Sequence, residues 1–284
     1  MNAADHNLNL EQAAQRIARS RYVVALVGAG LSVESGVPTF RGPGGLWTKL
    51  GEPTMNGYED FLRDPAAWWN EQQSQQHNPD RAHFREAIER AKPNPGHFAL
   101  ADLEKMGILK MTITQNVDNL HAQAGQEKLA EIHGNRTKMR CITCERKWHR
   151  DHFEGESYPL TCPECEGLVK GDTVMFGEPI PRRVLETCFY HTELSDCMIV
   201  IGTSATVYPA ASFPSLVQGN GGIFIEANPN PTPLSSSADL IVRGSTGETL
   251  PKLVDRIRAL SQCPKQSLTV ELLQQDLVLA RFIV

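Results

Sequence analysis

Three groups of residues in this 284-residue chain have the types and spacing to do chemistry. The first is a pair of knuckles, Cys141-x-x-Cys144 and Cys162-x-x-Cys165, with seventeen residues between them. Each knuckle puts two sulfurs on one side of a tight turn, and two knuckles complete the tetrahedron of a four-thiolate zinc site. Four protein ligands leave no position for water, so the expected Zn2+ is structural. His149 and His152 lie nearby but find no ligand position left. The second group is Gly28-Ala29-Gly30-Leu31-Ser32-Val33-Glu34-Ser35-Gly36-Val37-Pro38-Thr39-Phe40-Arg41, directly after the apolar run Tyr22–Val27. A strand running into Gly-x-Gly lets backbone N–H groups approach a pyrophosphate. The ordinary dinucleotide fingerprint is not met, because Val33 stands where its third glycine belongs. No acidic residue follows at the end of a second strand about 20 residues on, as ribose recognition in that fold requires. Serines, a proline and an arginine come instead, a loop suited to wrap a dinucleotide and present polar groups to it.

The third group is polar. Gln115, Asn116 and Asp118 follow an apolar run on its carboxyl side. Two amides and a carboxylate there suit a small molecule carrying a carboxamide and ribose hydroxyls. The plainer reading is a helix cap, which accounts for one of the three. Gly202-Thr203-Ser204, after Met198–Ile201, offers N–H and hydroxyl donors to a phosphate, or is simply a strand-to-helix turn. Of nine histidines, His97 in Pro93-Asn94-Pro95-Gly96-His97 reads as structural. His121 and His133 stand in chemically loaded segments, and the residues alone do not choose between them as a base. Cys188, Cys197 and Cys263 are unpaired, and nothing beside them marks a thiol of lowered pKa.

These groups need elements to hold them. Leu10, Ala14, Ile17 and Ala18 fall at helical spacing, which predicts an amphipathic helix over 9–20. Parallel strands are predicted at Tyr22–Val27, Leu109–Ile113, Met198–Gly202, Gly222–Glu226 and Leu240–Val242, with helices such as Gly96–Met106 and Arg182–Leu194 between them. That alternation gives an α/β class with a Rossmann-like open parallel sheet, whose ligand lies at the carboxyl ends of the strands. Residues 43–92 carry no strand signal, and residues 135–172 are short, cysteine-bearing and broken by Pro and Gly. Both read as insertions that form a smaller lobe, a helical one and a zinc-ribbon module. The tail 263–284 reads as a helix or a docking segment.

The loop 28–41 resembles the sirtuin family closely, matching Gly-Ala-Gly-x-Ser-x-x-Ser-Gly-x-Pro-x-Phe-Arg throughout. Thr114–His121, Ile132-His133-Gly134 with the paired Cys-x-x-Cys motifs, Phe176-Gly177-Glu178, Gly202-Thr203-Ser204 and Ala227-Asn228 follow in family order. The resemblance implies an NAD-dependent protein lysine deacylase that transfers the acyl group to ADP-ribose and releases nicotinamide. The alternatives are protein ADP-ribosyl transfer or NAD hydrolysis. It implies an NAD-binding domain built from 1–42, 93–134 and 173–262, with 43–92, 135–172 and 263–284 set apart. By resemblance His133 is the general base, with Asn116 and Asp118 also in the catalytic set. NAD would be held by Gly28, Ala29, Gly30, Ser32, Pro38, Thr39, Phe40, Arg41, Trp47, Gln115, Asn116 and Asp118. Gly202, Thr203, Ser204, Asn228, Pro229, Asn230 and Thr246 would complete its site. Arg41 and Ser204 would anchor the pyrophosphate. Val174, Phe176, Gly177 and Glu178 would flank an acyl-lysine peptide paired through its main chain. Family members that remove succinyl or malonyl groups carry Tyr-x-x-Arg in the helical insertion. This chain has Glu71 and Ser74 at those positions when Trp68 is aligned with the family's tryptophan, so neutral acyl groups are expected.

Composition bounds the partners. Forty per cent hydrophobic and 21% charged residues are ordinary for a globular chain. A net charge of −5 argues against nucleic acid as the main partner, since phosphate binding wants a basic face. A zinc ribbon with a basic run (Arg136, Lys138, Arg140, Arg146, Lys147, Arg150) keeps nucleic acid as a secondary reading, diluted by Asp151, Glu154, Glu156, Glu164 and Glu166. No apolar signal core opens the chain and no run is long enough to span a membrane, so a cytoplasmic location is expected.

Overall fold

The computed structural model describes residues 3–42 and 44–262, so the tail 263–284 and Cys263 lie outside the described residues. A parallel six-stranded sheet carries the fold, with strands β1 (Val23–Val27), β2 (Leu109–Thr114), β3 (Leu129–Glu131), β7 (Cys197–Ile201), β8 (Ile223–Ala227) and β9 (Leu240–Val242). Their order is β3-β2-β1-β7-β8-β9. Every residue of β1 and β7 is buried, as unbroken apolar runs require in a sheet covered on both faces. Leu10, Ile17, Leu100, Leu103, Leu253 and Ile257, from helices Ala3–Arg19, Pro95–Lys105 and Thr246–Gln262, pack on one face. Cys188, Phe213 and Val217, from Arg182–Leu194 and Phe213–Gly219, pack on the other.

The chain builds outward from β1 through β2 to β3, then returns to β7 on the far side of β1. That reversal opens a crevice between the carboxyl ends of β1 and β7, where open α/β sheets bind ligands. Five of the six strands match the runs expected from the sequence. The sixth, β3, has three residues, too few to show a period. The first helix begins at Ala3 rather than residue 9, because its leading turns carry little apolar signal.

Among the described residues, 43–92 carry helices and no strand, and 135–172 form a second, antiparallel sheet. Its strands are β4 (Lys138–Cys141), β5 (Lys147–His149) and β6 (Val169–Gly171), in the order β5-β4-β6. The two segments share one core, in which Phe61 and Trp69 pack with Met139, Leu160 and Val169.

Candidate active site

Two turns meet at the crevice. Gly28 and Gly30 leave β1, and Gly202 and Thr203 leave β7. Gly30 N–H donates to Gly202 O at 2.7 Å. A Cβ added at Gly30 would lie 2.7 Å from Gly202 Cα, and one at Gly28 would lie 2.5 Å from Thr203 Cβ. Gly202 itself has φ +56, and its Cβ would strike Leu31 N at 2.5 Å. From its spacing the Gly-x-Gly is expected to approach a pyrophosphate. In the structure these glycines let the two turns approach each other, and together the turns form the floor of the cleft.

The polar group lies above that floor. Gln115 N–H donates to Val27 O at 2.9 Å, and its Nε2 donates to Thr203 Oγ1 at 3.0 Å, which fastens β2 to both turns. Asn116 Nδ2 donates to Gly28 O at 3.1 Å and to Ser32 Oγ at 3.2 Å. Ser32 Oγ donates to Asp118 Oδ2 at 2.7 Å. Ser32, Asn116 and Asp118 are all buried. Asp118 Oδ1 also accepts Leu120 N–H at 3.0 Å, so it satisfies a free N–H at the start of a one-turn helix whose cap position, Asn119, makes no side-chain cap bond.

His133 stands half-buried at the cleft, three residues after Ala130 of β3. Its Nδ1–H donates to the Gln115 carbonyl at 3.2 Å. A carbonyl can only accept, so the proton sits on Nδ1 and the Nε2 lone pair is left to act as a base. Burial pushes the His133 pKa down, and the bond to Gln115 offsets part of this. The ring is therefore neutral at pH 7. His121 lies elsewhere: fully enclosed, its Nδ1 bonded to Gln126 Oε1 at 2.7 Å, its ring 5.2 Å from that of His97. His97 accepts Asn94 N–H in a reciprocal helix cap. This separates the two histidines that the sequence leaves tied.

The cleft has a volume of ≈ 2520 Å³ and brings together nearly every expected site residue outside the metal module. The two that do not line it are Ser32, buried beneath, and Pro38. An aromatic row crosses its rim. Phe40 lies 4.8 Å from Trp47 and 5.2 Å from Phe84, and Trp47 lies 5.3 Å from Phe176. Arg41 is engaged at this rim: its guanidinium lies 4.7 Å over the Trp47 ring and pairs with Glu52 at 2.7 Å.

On the β8 side, Asn228 Nδ2 donates to Thr203 O at 3.3 Å, and Asn228, Pro229 and Asn230 edge the cleft. Buried Glu226 shapes that loop, accepting Ser235 Oγ–H at 2.7 Å and pairing with Arg243 at 2.8 Å. Arg243 in turn donates to Asn228 O and Asn230 O. Thr246 and Gly247, at the start of the last helix, are bonded to Glu34 of the first loop. Nothing in the spacing of Glu34, Glu226 or Arg243 marks these contacts, because each depends on a partner the fold supplies.

The four cysteines converge. Their sulfurs lie within 4.8 Å of one another, with Cys141–Cys165 at 3.6 Å and Cys144–Cys162 at 3.8 Å. Tetrahedral zinc with Zn–S bonds of 2.3 Å sets sulfurs about 3.8 Å apart, so the donor set fits structural zinc. Thr143 N–H and Cys144 N–H point at Cys141 Sγ, and Glu164 N–H points at Cys162 Sγ, as suits thiolates. The basic run around the knuckles is largely paired: Lys138 with Glu131, Arg140 and Lys147 with Asp172, and Arg146 with Glu164.

Residues 28–209 match the model of the Sir2 family. An NAD-dependent protein deacylase of Pyrococcus furiosus is 41% identical over 258 residues, covering 89% of this chain and all of that protein. A solved Sir2 homologue–NAD complex is similar at a TM-score of 0.71 and 39% identity, covering 88% of this chain and 94% of that one. Another solved Sir2 protein, bound to a myristoylated histone peptide, is similar at a TM-score of 0.64 and 31% identity, covering 90% and 98%.

Proposed function

The chain belongs to the Sir2 family, and on that premise we propose that it is an NAD-dependent protein lysine deacylase using His133 as its general base. The observation that carries the reading is the Gln115 carbonyl on His133 Nδ1, which leaves a neutral Nε2 at the cleft. NAD supplies the electrophile, because loss of nicotinamide leaves an oxocarbenium-like carbon for the acyl-lysine oxygen to attack. That oxygen is a weak nucleophile, so positioning provides much of the acceleration. Asn116 and Asp118 hold the carboxamide and the adjoining ribose, with Gln115 on the ribose hydroxyls. Their mutual bonds through Ser32 fix them before the substrate arrives. Phe40, Trp47 and Phe176 close the rim against water, which would otherwise hydrolyse the dinucleotide. His133 Nε2 would then take a proton from a ribose hydroxyl, whose oxygen attacks the imidate carbon; the carbon–nitrogen bond breaks, lysine leaves as the free amine, and one water is taken up as the acyl group stays on ADP-ribose as an ester.

Residues 1–42, 93–134 and 173–262 form the NAD-binding unit in this reading, and 43–92 with 135–172 cover it. The peptide lies extended along Val174–Gly177 and pairs through its main chain. The substrates are acyl-lysine proteins or peptides, and the solved relative with a myristoylated histone peptide supports this class, including long neutral chains. No helix among the described residues is long and apolar enough to cross a membrane, and we place the enzyme in the cytoplasm. His133→Ala tests the assignment. The variant should fold and bind NAD in a calorimeter yet lose about 10²–10⁴-fold in deacylation, the usual worth of a general base. Near wild-type turnover would remove His133 from the reaction.

A further inference from the structure

Charged side chains meet where the metal module joins the cleft, and among them is Glu178, one of the residues expected to flank the peptide. Arg140, one residue before Cys141, is buried and forks. Its Nε donates to Asp172 Oδ1 at 3.0 Å, and its Nη2 donates to Glu178 Oε1. Lys170 Nζ pairs with Glu178 Oε2 at 2.9 Å and donates to Thr173 O at 2.8 Å. Lys147 pairs with Asp172 Oδ2 at 2.9 Å. The side chains of Asp172 and Glu178 are 0% and 1% exposed. Buried ion pairs of this kind often stabilise no more than apolar residues of the same volume. What they add is direction, and here the bonds converge on one stretch of backbone.

That stretch is 172–178. Glu178 closes the turn at its end twice over: its N–H donates to Met175 O at 3.0 Å, and its Oε2 accepts Met175 N–H at 2.8 Å. Gly177 has φ +78, and an added Cβ would lie 2.1 Å from Met55 O, so the turn has little room to shift. Farther back, Val174 N–H donates to His133 O at 2.9 Å. One side of the segment is thus fixed to the backbone of His133, and the other to a guanidinium one residue from a metal ligand.

We infer that Arg140 and Glu178 are positioning residues for the acyl-peptide site. The Glu178 carboxylate is turned into the protein and does not touch the peptide. It sets the turn that aims the Val174–Gly177 main chain, and Arg140 carries the rigidity of the metal module into that turn. The carboxylates of Asp172 and Glu178 make no bond to the Gly28 or Gly202 turns, so the peptide site should respond to this network more than NAD binding does. The inference rests on the deacylase reading for what the segment binds, but not for how the segment is held.

Arg140→Lys tests it. Lysine keeps the charge but has no planar fork to join two carboxylates. The KM for an acetyl-lysine peptide should rise at least fivefold, with the KM for NAD changed less than twofold and one zinc retained per chain. Amide hydrogen exchange across 173–177 should quicken at least tenfold, with β1 unaffected. Glu178→Gln, near in shape and lacking the charge, should behave alike and serves if the first variant does not fold. Equal rises in both KM values, an unchanged peptide KM, or unchanged exchange at 173–177 would overturn the inference. If the wild-type enzyme does not act on acyl peptides at all, the deacylase reading fails separately and the exchange measurement decides this one.

Discussion

Acid should destabilise this fold through His97, a residue the chemistry does not use. Burial, helped by the neighbouring His121, pushes its pKa down to about 3, and its side chain is 0% exposed. Its Nδ1 accepts Asn94 N–H, so protonation there breaks the helix cap. In the unfolded chain the same imidazole titrates near its ordinary value of about 6.5. Below that pH the unfolded state therefore binds the extra proton. The contribution of His97 is complete above about pH 6.5 and lost as the pH falls toward 3. At pH 5 the unfolded form is almost fully protonated and the folded form is not, a difference of about 2 kcal/mol. The figure hardly depends on how far below 5 the folded value lies. His97→Gln isolates the effect, because glutamine at N3 can still complete the cap but does not titrate. Urea unfolding at pH 7 and at pH 5 provides the assay. Between the two, the wild type should lose about 2 kcal/mol more than the variant. Equal losses in the two proteins would refute the reasoning, and would mean that His97 is protonated in the fold or shielded less than its burial implies.

Three further outcomes are expected. The His133 pKa is lowered by burial, and the base must be neutral, so the acid limb of kcat/KM should have its midpoint below about 6.5; a midpoint above that value would contradict the assignment. Elemental analysis should find one zinc per chain, and Cys162→Ala should release it and loosen the core of Met139, Leu160 and Val169, since metal binding energy is folding energy in such sites; full activity with no zinc would oppose this. Acetyl and longer alkyl groups should leave faster than succinyl. Glu71 lines the cleft and is exposed, so its repulsion of a carboxylate is screened, about 1 kcal/mol at 4 Å in water, or roughly fivefold. Comparable efficiencies on matched acetyl and succinyl peptides would dismiss it, and Glu71→Tyr with Ser74→Arg should shift the ratio toward succinyl.

What the sequence made legible was local. Each cysteine knuckle carries its own geometry in four residues, and the separations within the cluster match what that spacing implies. The strands β1 and β7 announce themselves because burial on both faces demands unbroken apolar runs. His133 was separable from His121 only by resemblance, because what distinguishes them is a carbonyl 18 residues away and the enclosure of the other ring. For Gly28 and Gly30 the spacing speaks of a ligand, and the structure adds a second demand that the sequence does not carry, the close approach of the facing turn at Gly202. The Glu226–Arg243 and Arg140–Glu178 pairs gave no signal at all. A charged residue reads as surface until the fold supplies a partner for it.

A deacylase of this kind consumes NAD only in step with loss of an acyl group. Incubation with NAD and an acetyl-lysine peptide, followed by mass spectrometry, counts nicotinamide, free-lysine peptide and acetyl-ADP-ribose in one experiment. All three should appear in equal amounts, with no nicotinamide when the peptide is unmodified. Nicotinamide released at the same rate without an acyl group, with ADP-ribose left free or attached to protein, would contradict the deacylase reading.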